Sequence, residues 1–257
     1  MMKLIIVGTG NVAWHLARAC VAAGHELVAV ATRSESSGKE FVQAFQGSRY
    51  IPLAEIKDLD PDVVFLTVPD AAIPEVLAHI ATGSKTVVVH TSGSQPLSIL
   101  QTAARAGVFY PVQTFTKYKP VDFADIPILI EGNDKAIEEL LMQLAQSLSN
   151  TVQIKDSQAR KQLHLAAVFA CNFTNHLLGI SRYLLERADL STNLLQPLIQ
   201  ETFTKASAND PFTVQTGPAS RSDINIIQEH IQQLSAHPSW QELYRQLTLS
   251  IQEQQKK

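Results

Sequence analysis

Residues 3–24, KLIIVGTGNVAWHLARACVAAG, constrain this chain more than any other stretch. Leu4-Ile5-Ile6-Val7 is an apolar run rich in β-branched residues and reads as a strand. Gly8-Thr9-Gly10-Asn11-Val12-Ala13 follows as a G-x-G-x-x-A pattern. Apolar Trp14, Leu16, Ala17, Cys20, Val21 and Ala23 then recur at helical spacing up to Gly24. Strand, glycine turn and helix come in the order that a dinucleotide-binding unit requires. Gly8 permits the tight turn, Gly10 lets a diphosphate approach the backbone, and Ala13 lets the helix pack close to the strand. The phosphates then meet free N–H groups and the positive end of the helix dipole. Gly8, Thr9, Gly10, Asn11 and Val12 are therefore the first cofactor-binding candidates.

Residues 26–32, ELVAVAT, read as the second strand. Sites that prefer NAD place Asp or Glu at this strand's end, against the ribose 2′-hydroxyl. This chain has Thr32-Arg33-Ser34 there, with Ser36 and Ser37 close by. A carboxylate repels a 2′-phosphate, whereas an arginine flanked by hydroxyls binds one. The expected cofactor is therefore NADP.

Further along, residues 39–46 predict a short helix, and 50–56 a short strand entering another helix. Residues 62–68 and 85–90 are apolar strands of the fully buried kind, with a helix over 72–81 between them. Three short strands are expected at 107–112, 126–131 and 151–154, with a helix over 134–148. Strands alternating with helices imply parallel βαβ units, which bind ligands beyond the carboxyl ends of their strands. Gly8 to Asn11, Thr32 to Ser34, Pro69-Asp70 and Thr91 to Ser94 all fall at such ends. Thr32, Arg33, Ser34, Val68, Pro69, Asp70 and Thr91 thus complete the cofactor set. After residue 154 no strand pattern appears. Residues 157–188 form a helical run interrupted only by Gly179, and 193–207, 222–235 and 239–254 are further helices. The fold class is α/β, with a dinucleotide-binding domain over residues 1–154 followed by an all-α domain over 155–257.

Composition excludes several alternatives. With 21 basic and 24 acidic residues the net charge is −3, so there is no electrostatic footprint for nucleic acid. No apolar run is read as membrane-spanning, and no signal-peptide pattern precedes the first strand. Cys20 and Cys171 both sit on predicted helices among apolar residues. They are expected to be buried thiols, neither a disulfide nor a metal site. The expected location is cytoplasmic.

The long helix carries polar residues in an apolar stretch: His164, Asn172, Asn175 and His176. At roughly 100° per residue, His164, Cys171 and Asn175 fall within about 20° of one another, and Asn172 about 80° away. Buried polar groups need partners. These side chains either pair across a structural interface or line a substrate cleft facing the nicotinamide. His164 is favoured as functional and His176 as structural, while Asn172 and Asn175 stand between the two.

The motifs together resemble the Rossmann-like proteins that carry the C-terminal domain of unknown function 2520. The residues that carry the likeness are Gly8 to Ala13, Val89-His90-Thr91-Ser92-Gly93-Ser94, Phe109 to Phe115, His164 to Phe169 with Asn172 to His176, and Gly217-Pro218-Ala219 with Arg221 and Asp223. The resemblance implies a Rossmann NAD(P)-binding domain, a helical domain like that at the C-terminus of 6-phosphogluconate dehydrogenase, and a homodimer formed through the helices. More distantly the layout is similar to pyrroline-carboxylate reductases, deazaflavin-dependent NADP reductases and β-hydroxyacid dehydrogenases. The last of these carry a catalytic lysine followed four residues on by asparagine. Here Lys161 is followed at that spacing by Leu165, and Tyr110 stands where many relatives have histidine.

The expected function is an NADP(H)-dependent oxidoreductase passing a hydride to or from a small carbonyl, imine or hydroxy compound. Ser92 is placed to hydrogen-bond the substrate oxygen, and His164 to act as acid and base. Asn172 and Asn175 are expected to orient the substrate, and Lys117, Arg221 and Asp223 to contact its charge. Tyr110 is a further proton donor or half-buried core. The rival is a non-catalytic NADP(H)-binding sensor or regulatory dimer, because a Rossmann site does not guarantee turnover.

Overall fold

A computed structural model describes residues 1–255. Eight strands form one sheet: β1 (Lys3–Val7), β2 (Glu26–Ala31), β3 (Arg49–Ile51), β4 (Val63–Leu66), β5 (Val87–His90), β6 (Ala106–Pro111), β7 (Ile128–Gly132) and β8 (Val152–Ile154). Their order across the sheet is β3-β2-β1-β4-β5-β6-β7-β8. The first six strands run parallel. β6 and β7 pair antiparallel, and β7 and β8 parallel again. The all-parallel pattern expected from strand–helix alternation therefore breaks at one place. No helix crosses over between β6 and β7, so the chain simply turns back. The order reverses between β1 and β4, which places a ligand crevice at their carboxyl ends.

Six helices pack with the sheet or follow it: α1 (Asn11–Ala22), α2 (Glu35–Val42), α3 (Ile73–His79), α4 (Lys135–Gln146), α5 (Ser157–Ala167) and α6 (Thr174–Arg187). The two faces of the sheet carry separate cores. One joins Leu4, Ile6, Phe65 and Phe109 to α1 and α4 through Ala13, Leu16, Ala17, Leu141 and Leu144. The other joins Ile5, Val7, Val64 and Leu66 to α3 through Ile73 and Val76. Burial on both faces explains why β1 and β4 read as unbroken apolar runs rather than alternating ones.

Local chemistry sets the helix starts. Asp134, Asp156 and Asp223 each cap a helix by accepting a backbone N–H three residues on, a contact worth about 1 kcal/mol. Ser34 caps α2 in the same way, so this helix begins at Glu35, earlier than the predicted residue 39. Val21, placed on the apolar face of the first helix, is 42% exposed.

The chain divides into two compact units, Met1–His176 and a second from Leu177 onward. The β pattern ends at Ile154, and the first unit carries on through α5 to His176. The second unit holds most of α6 with α7 (Gln196–Ala208), α8 (Ile224–Gln233) and α9 (Pro238–Gln254). Inside it the Tyr183 ring meets His237 and Trp240 edge-on, and Tyr244 lies 2.9 Å from Nδ1 of His230.

Three expectations change in the long helix. Val168–Phe173, between α5 and α6, is a π-helical turn. It interrupts the 100° period, so the alignment of His164 with Asn175 computed for a regular helix does not hold. Cys171 lies in this turn and is exposed, whereas Cys20 is buried as expected. The whole run Ser157–Arg187 spans 31 residues with a mean hydropathy of 1.3 in its most apolar window. By length and composition alone it is long enough to cross a membrane, contrary to the sequence reading.

Candidate functional site

The glycine turn lies at the carboxyl end of β1. Gly8 has φ +114°, and a Cβ there would stand 2.9 Å from the Thr67 carbonyl oxygen. Only glycine suits that conformation and that approach. Nothing lies within 4 Å of where a Gly10 Cβ would be. Gly10 caps α1 without a side-chain hydrogen bond, and the first turn contains no acidic residue. This contrasts with the aspartate-capped α4, α5 and α8. The start of α1 keeps free N–H groups and open space, which is the chemistry a diphosphate requires.

A cleft of about 210 Å³ opens here, lined by Gly8, Thr9, Gly10, Thr32, Arg33, Val68 and Pro69 among the predicted residues. Thr67, Leu53, Ala72 and Val76 join them. Thr67 was not singled out in the sequence, although its hydroxyl donates to the Val7 carbonyl at 2.8 Å and ties the ends of β1 and β4. Arg33 is exposed and lies 3.6 Å from the exposed Glu75.

The remaining cofactor candidates lie outside that lining. The Asn11 side chain turns away from the turn to bond the Phe115 carbonyl at 3.0 Å and the Lys117 N–H at 3.1 Å. It thereby holds the segment after β6 across the start of α1. His15 supports the same segment, bonding the Thr116 carbonyl at 2.9 Å and stacking on Phe115. Ser34 is engaged by Ser36 and Ser37 and by its capping bond. Val12 is half-buried. Thr91 reaches the Leu66 carbonyl at 3.4 Å.

A second cluster forms at the carboxyl ends of β5 and β6. The Tyr110 hydroxyl lies 3.2 Å from Nδ1 of His164. Gly93 sits directly against both: a Cβ there would stand 2.6 Å from Tyr110 Cζ and 2.7 Å from His164 Nδ1. In the same loop, Ser92 Oγ accepts the backbone N–H groups of Ser94 and Gln95, each at 3.1 Å. Ser94 Oγ donates to the Asp70 carboxylate. Burial pushes the Tyr110 hydroxyl above the ordinary phenol range, while the charge of Arg160 pulls the other way.

Beneath this cluster lies a buried network that sequence reasoning missed. Arg160 is fully buried. It pairs with Glu131 and donates to the Gln95 carbonyl at 2.6 Å and to Ser157 Oγ at 3.2 Å. The Leu97 N–H in turn donates to Ser157 Oγ at 2.9 Å. His90, also fully buried, accepts the Ser92 N–H at Nδ1. Burial, seconded by Arg160, holds His90 down to about 4. Arginine and glutamate carry no local mark of burial, so nothing in the sequence separated these two from solvated residues.

Other predicted contacts fall elsewhere. Asn172 and Asn175 are exposed, as is His176. Lys117 holds its ammonium 5.4 Å over the Trp14 ring and 5.0 Å over Tyr118. Asp223 caps α8, and Arg221 is exposed.

Residues 1–113 match a Rossmann-like domain, and residues 126–251 match the domain of unknown function DUF2520. A solved structure from Bacteroides fragilis, a candidate NADP oxidoreductase, is 38% identical, with a TM-score of 0.91 and 98% of each chain covered. A Thermotoga maritima protein is 22% identical, with a TM-score of 0.70 and 98% of each chain covered. The reductive aminase of Aspergillus terreus, in complex with NADPH and ethyl levulinate, is 17% identical, with a TM-score of 0.69 over 98% of this chain and 93% of its own. The last two likenesses show the fold alone. No curated protein matches the chain.

Proposed function

The chain belongs to the Rossmann-like proteins that carry the domain of unknown function DUF2520, and from that premise we propose that it is an NADP(H)-dependent oxidoreductase acting on a small carbonyl, imine or hydroxy compound. The observation that carries the proposal is the cleft at the carboxyl ends of β1, β2 and β4, whose lining joins the uncapped helix start to Arg33. Gly8, Thr9, Gly10 and the first N–H groups of α1 hold the diphosphate. Arg33 holds the 2′-phosphate, helped by the hydroxyls at the start of α2. When bound, the dinucleotide supplies or accepts the hydride. Ser92 and His164 belong to the substrate end, where His164 takes part in the proton exchange that accompanies hydride transfer. The 38% identical candidate NADP oxidoreductase supports the choice of cofactor.

The same proposal includes a homodimer formed through the helical part. Phe169, Phe173, Leu194, Leu198, Phe203, Phe212 and Ile224 are each 45% or more exposed in the single chain. So much apolar surface is costly in water and suits a second copy. Two free cysteines suit a reducing, cytoplasmic setting.

The test is fluorescence titration of NADPH and NADH with the wild type and Arg33→Asp, followed by a screen of carbonyls and imines for NADPH oxidation. NADPH is expected to bind more tightly, and the exchange to remove that preference by about 10-fold or more. Tighter NADH binding by the wild type would overturn the cofactor assignment. Tight NADPH binding without turnover of any compound would favour the sensor reading.

A further inference from the structure

We propose that the hydroxyl of Tyr110, backed by His164, exchanges the proton with the substrate's oxygen or nitrogen. The inference rests on the oxidoreductase reading above and assigns the proton step within it. Several groups at the carboxyl ends of β5 and β6 carry exchangeable protons, and their bonding separates them; the Thr91 hydroxyl donates to the Leu66 carbonyl.

Ser92 is committed to its own loop. Its oxygen accepts two backbone N–H groups and lies 3.3 Å from Ser94 Oγ. Ser94 spends its proton on the Asp70 carboxylate. The Ser94 oxygen is therefore the acceptor for the Ser92 proton, and the chain Ser92–Ser94–Asp70 closes on itself. Tyr110 is different. Among the described residues its oxygen has one partner, Nδ1 of His164, and the residue is half-buried rather than sealed. With Nδ1 protonated, the imidazole donates to the tyrosine oxygen, and the phenolic proton is left to face a ligand. Burial keeps that proton on the oxygen until a base takes it.

The surroundings hold the pair in place. The missing side chain at Gly93 leaves both rings room against the loop after β5. One helical turn before His164, Arg160 ties α5 to Glu131 on β7 and to the carbonyl of Gln95. Tyr110, near the carboxyl end of β6, and the Gly93 loop after β5 lie at the strand ends beyond which parallel α/β sheets bind their ligands.

In the reductive direction, a hydride adds to the carbon of a C=O or C=N group and its π electron pair moves to the heteroatom. That atom takes the Tyr110 proton as the phenolic O–H bond breaks. The tyrosine oxygen then takes the Nδ1 proton of His164 as Nε2 takes one from solvent, so the ring stays neutral and returns to its starting tautomer by exchange with water. The sum is one hydride and one solvent proton added across the double bond. Oxidation of an alcohol or amine runs the same steps backwards.

The experiment compares wild type, Tyr110→Phe and His164→Gln. In ligand-free protein, the ¹⁵N resonance of His164 Nδ1 should move in Tyr110→Phe; an unmoved signal overturns the pairing. NADPH affinity should stay within about 2-fold in both variants, reporting an intact fold and cofactor cleft. With ethyl levulinate, and with cyclohexanone plus allylamine, as probes, kcat/KM should fall about 100-fold in Tyr110→Phe. His164→Gln should fall less, because the phenol keeps its own proton. Tyr110→Phe within threefold of wild type overturns the assignment and leaves the oxidoreductase reading standing. A wild type that binds NADPH but oxidises it with neither probe nor any other compound of the carbonyl and imine screen removes that reading, and this assignment with it.

Discussion

Arg160 on α5 is fully buried against the carboxylate of Glu131 on β7, one helical turn before His164. The guanidinium also holds the carbonyl of Gln95, so one side chain joins a helix, a strand and the loop beside the candidate site. Removing one partner strands the other charge in a low-dielectric interior. Arg160→Met should lower unfolding stability by about 3–5 kcal/mol. The double variant Arg160→Met/Glu131→Met should recover part of that loss, because no charge is then left unpaired. Urea melts of the single and double variants measure both.

Gly93 is a packing requirement rather than a turn. A Cβ there would stand 2.6 Å from Tyr110 Cζ and 2.7 Å from His164 Nδ1. Gly93→Ala should cost about 1–3 kcal/mol through overpacking and push the two rings apart. A thermal melt gives the stability loss, and the His164 ring resonances report the separation.

His90 links stability to acid. Its imidazole titrates at about 4 in the fold against 6.5 when free, because burial and then Arg160 disfavour the cation. The unfolded chain therefore binds the extra proton first as pH falls. The stabilisation is complete above pH 6.5 and is lost as pH drops from 6.5 towards 4, by roughly 3 kcal/mol in all. Melts across that window should show the slope in wild type and a flatter one in His90→Gln.

If Arg33 holds the 2′-phosphate as proposed, Glu75 competes for it. The two side chains lie 3.6 Å apart and both are exposed, so the pair is weak and screened by salt. Glu75→Gln should tighten NADPH binding about 2- to 3-fold at low salt and leave NADH binding unchanged. The gain should vanish in 0.5 M salt; isothermal titration at two ionic strengths checks it.

Along the chain, what was legible was local. The β-branched run Leu4 to Val7, the glycines at 8 and 10 and the periodic α1 each carry their conformation in neighbouring residues. The first strands, the cleft and most of its lining could therefore be placed in advance. The regular 100° period misplaced Asn175 because Val168–Phe173 is a π turn, which breaks that period. Asn11 was read as a cofactor contact from its place in the motif; its side chain bonds residues more than 100 positions away, which the motif does not announce.

The sequence by itself determined the α/β class, the dinucleotide turn and the arginine at the end of β2, because backbone propensity and steric freedom act over a few residues. Only the tertiary structure decided that Tyr110 meets His164 across 54 positions and that Arg160 finds Glu131 across 29. Such partners are selected when the sheet brings strand ends together and burial forces each charge or donor to find an acceptor. That choice is made by three-dimensional packing and leaves no mark on the residues beside it in the chain.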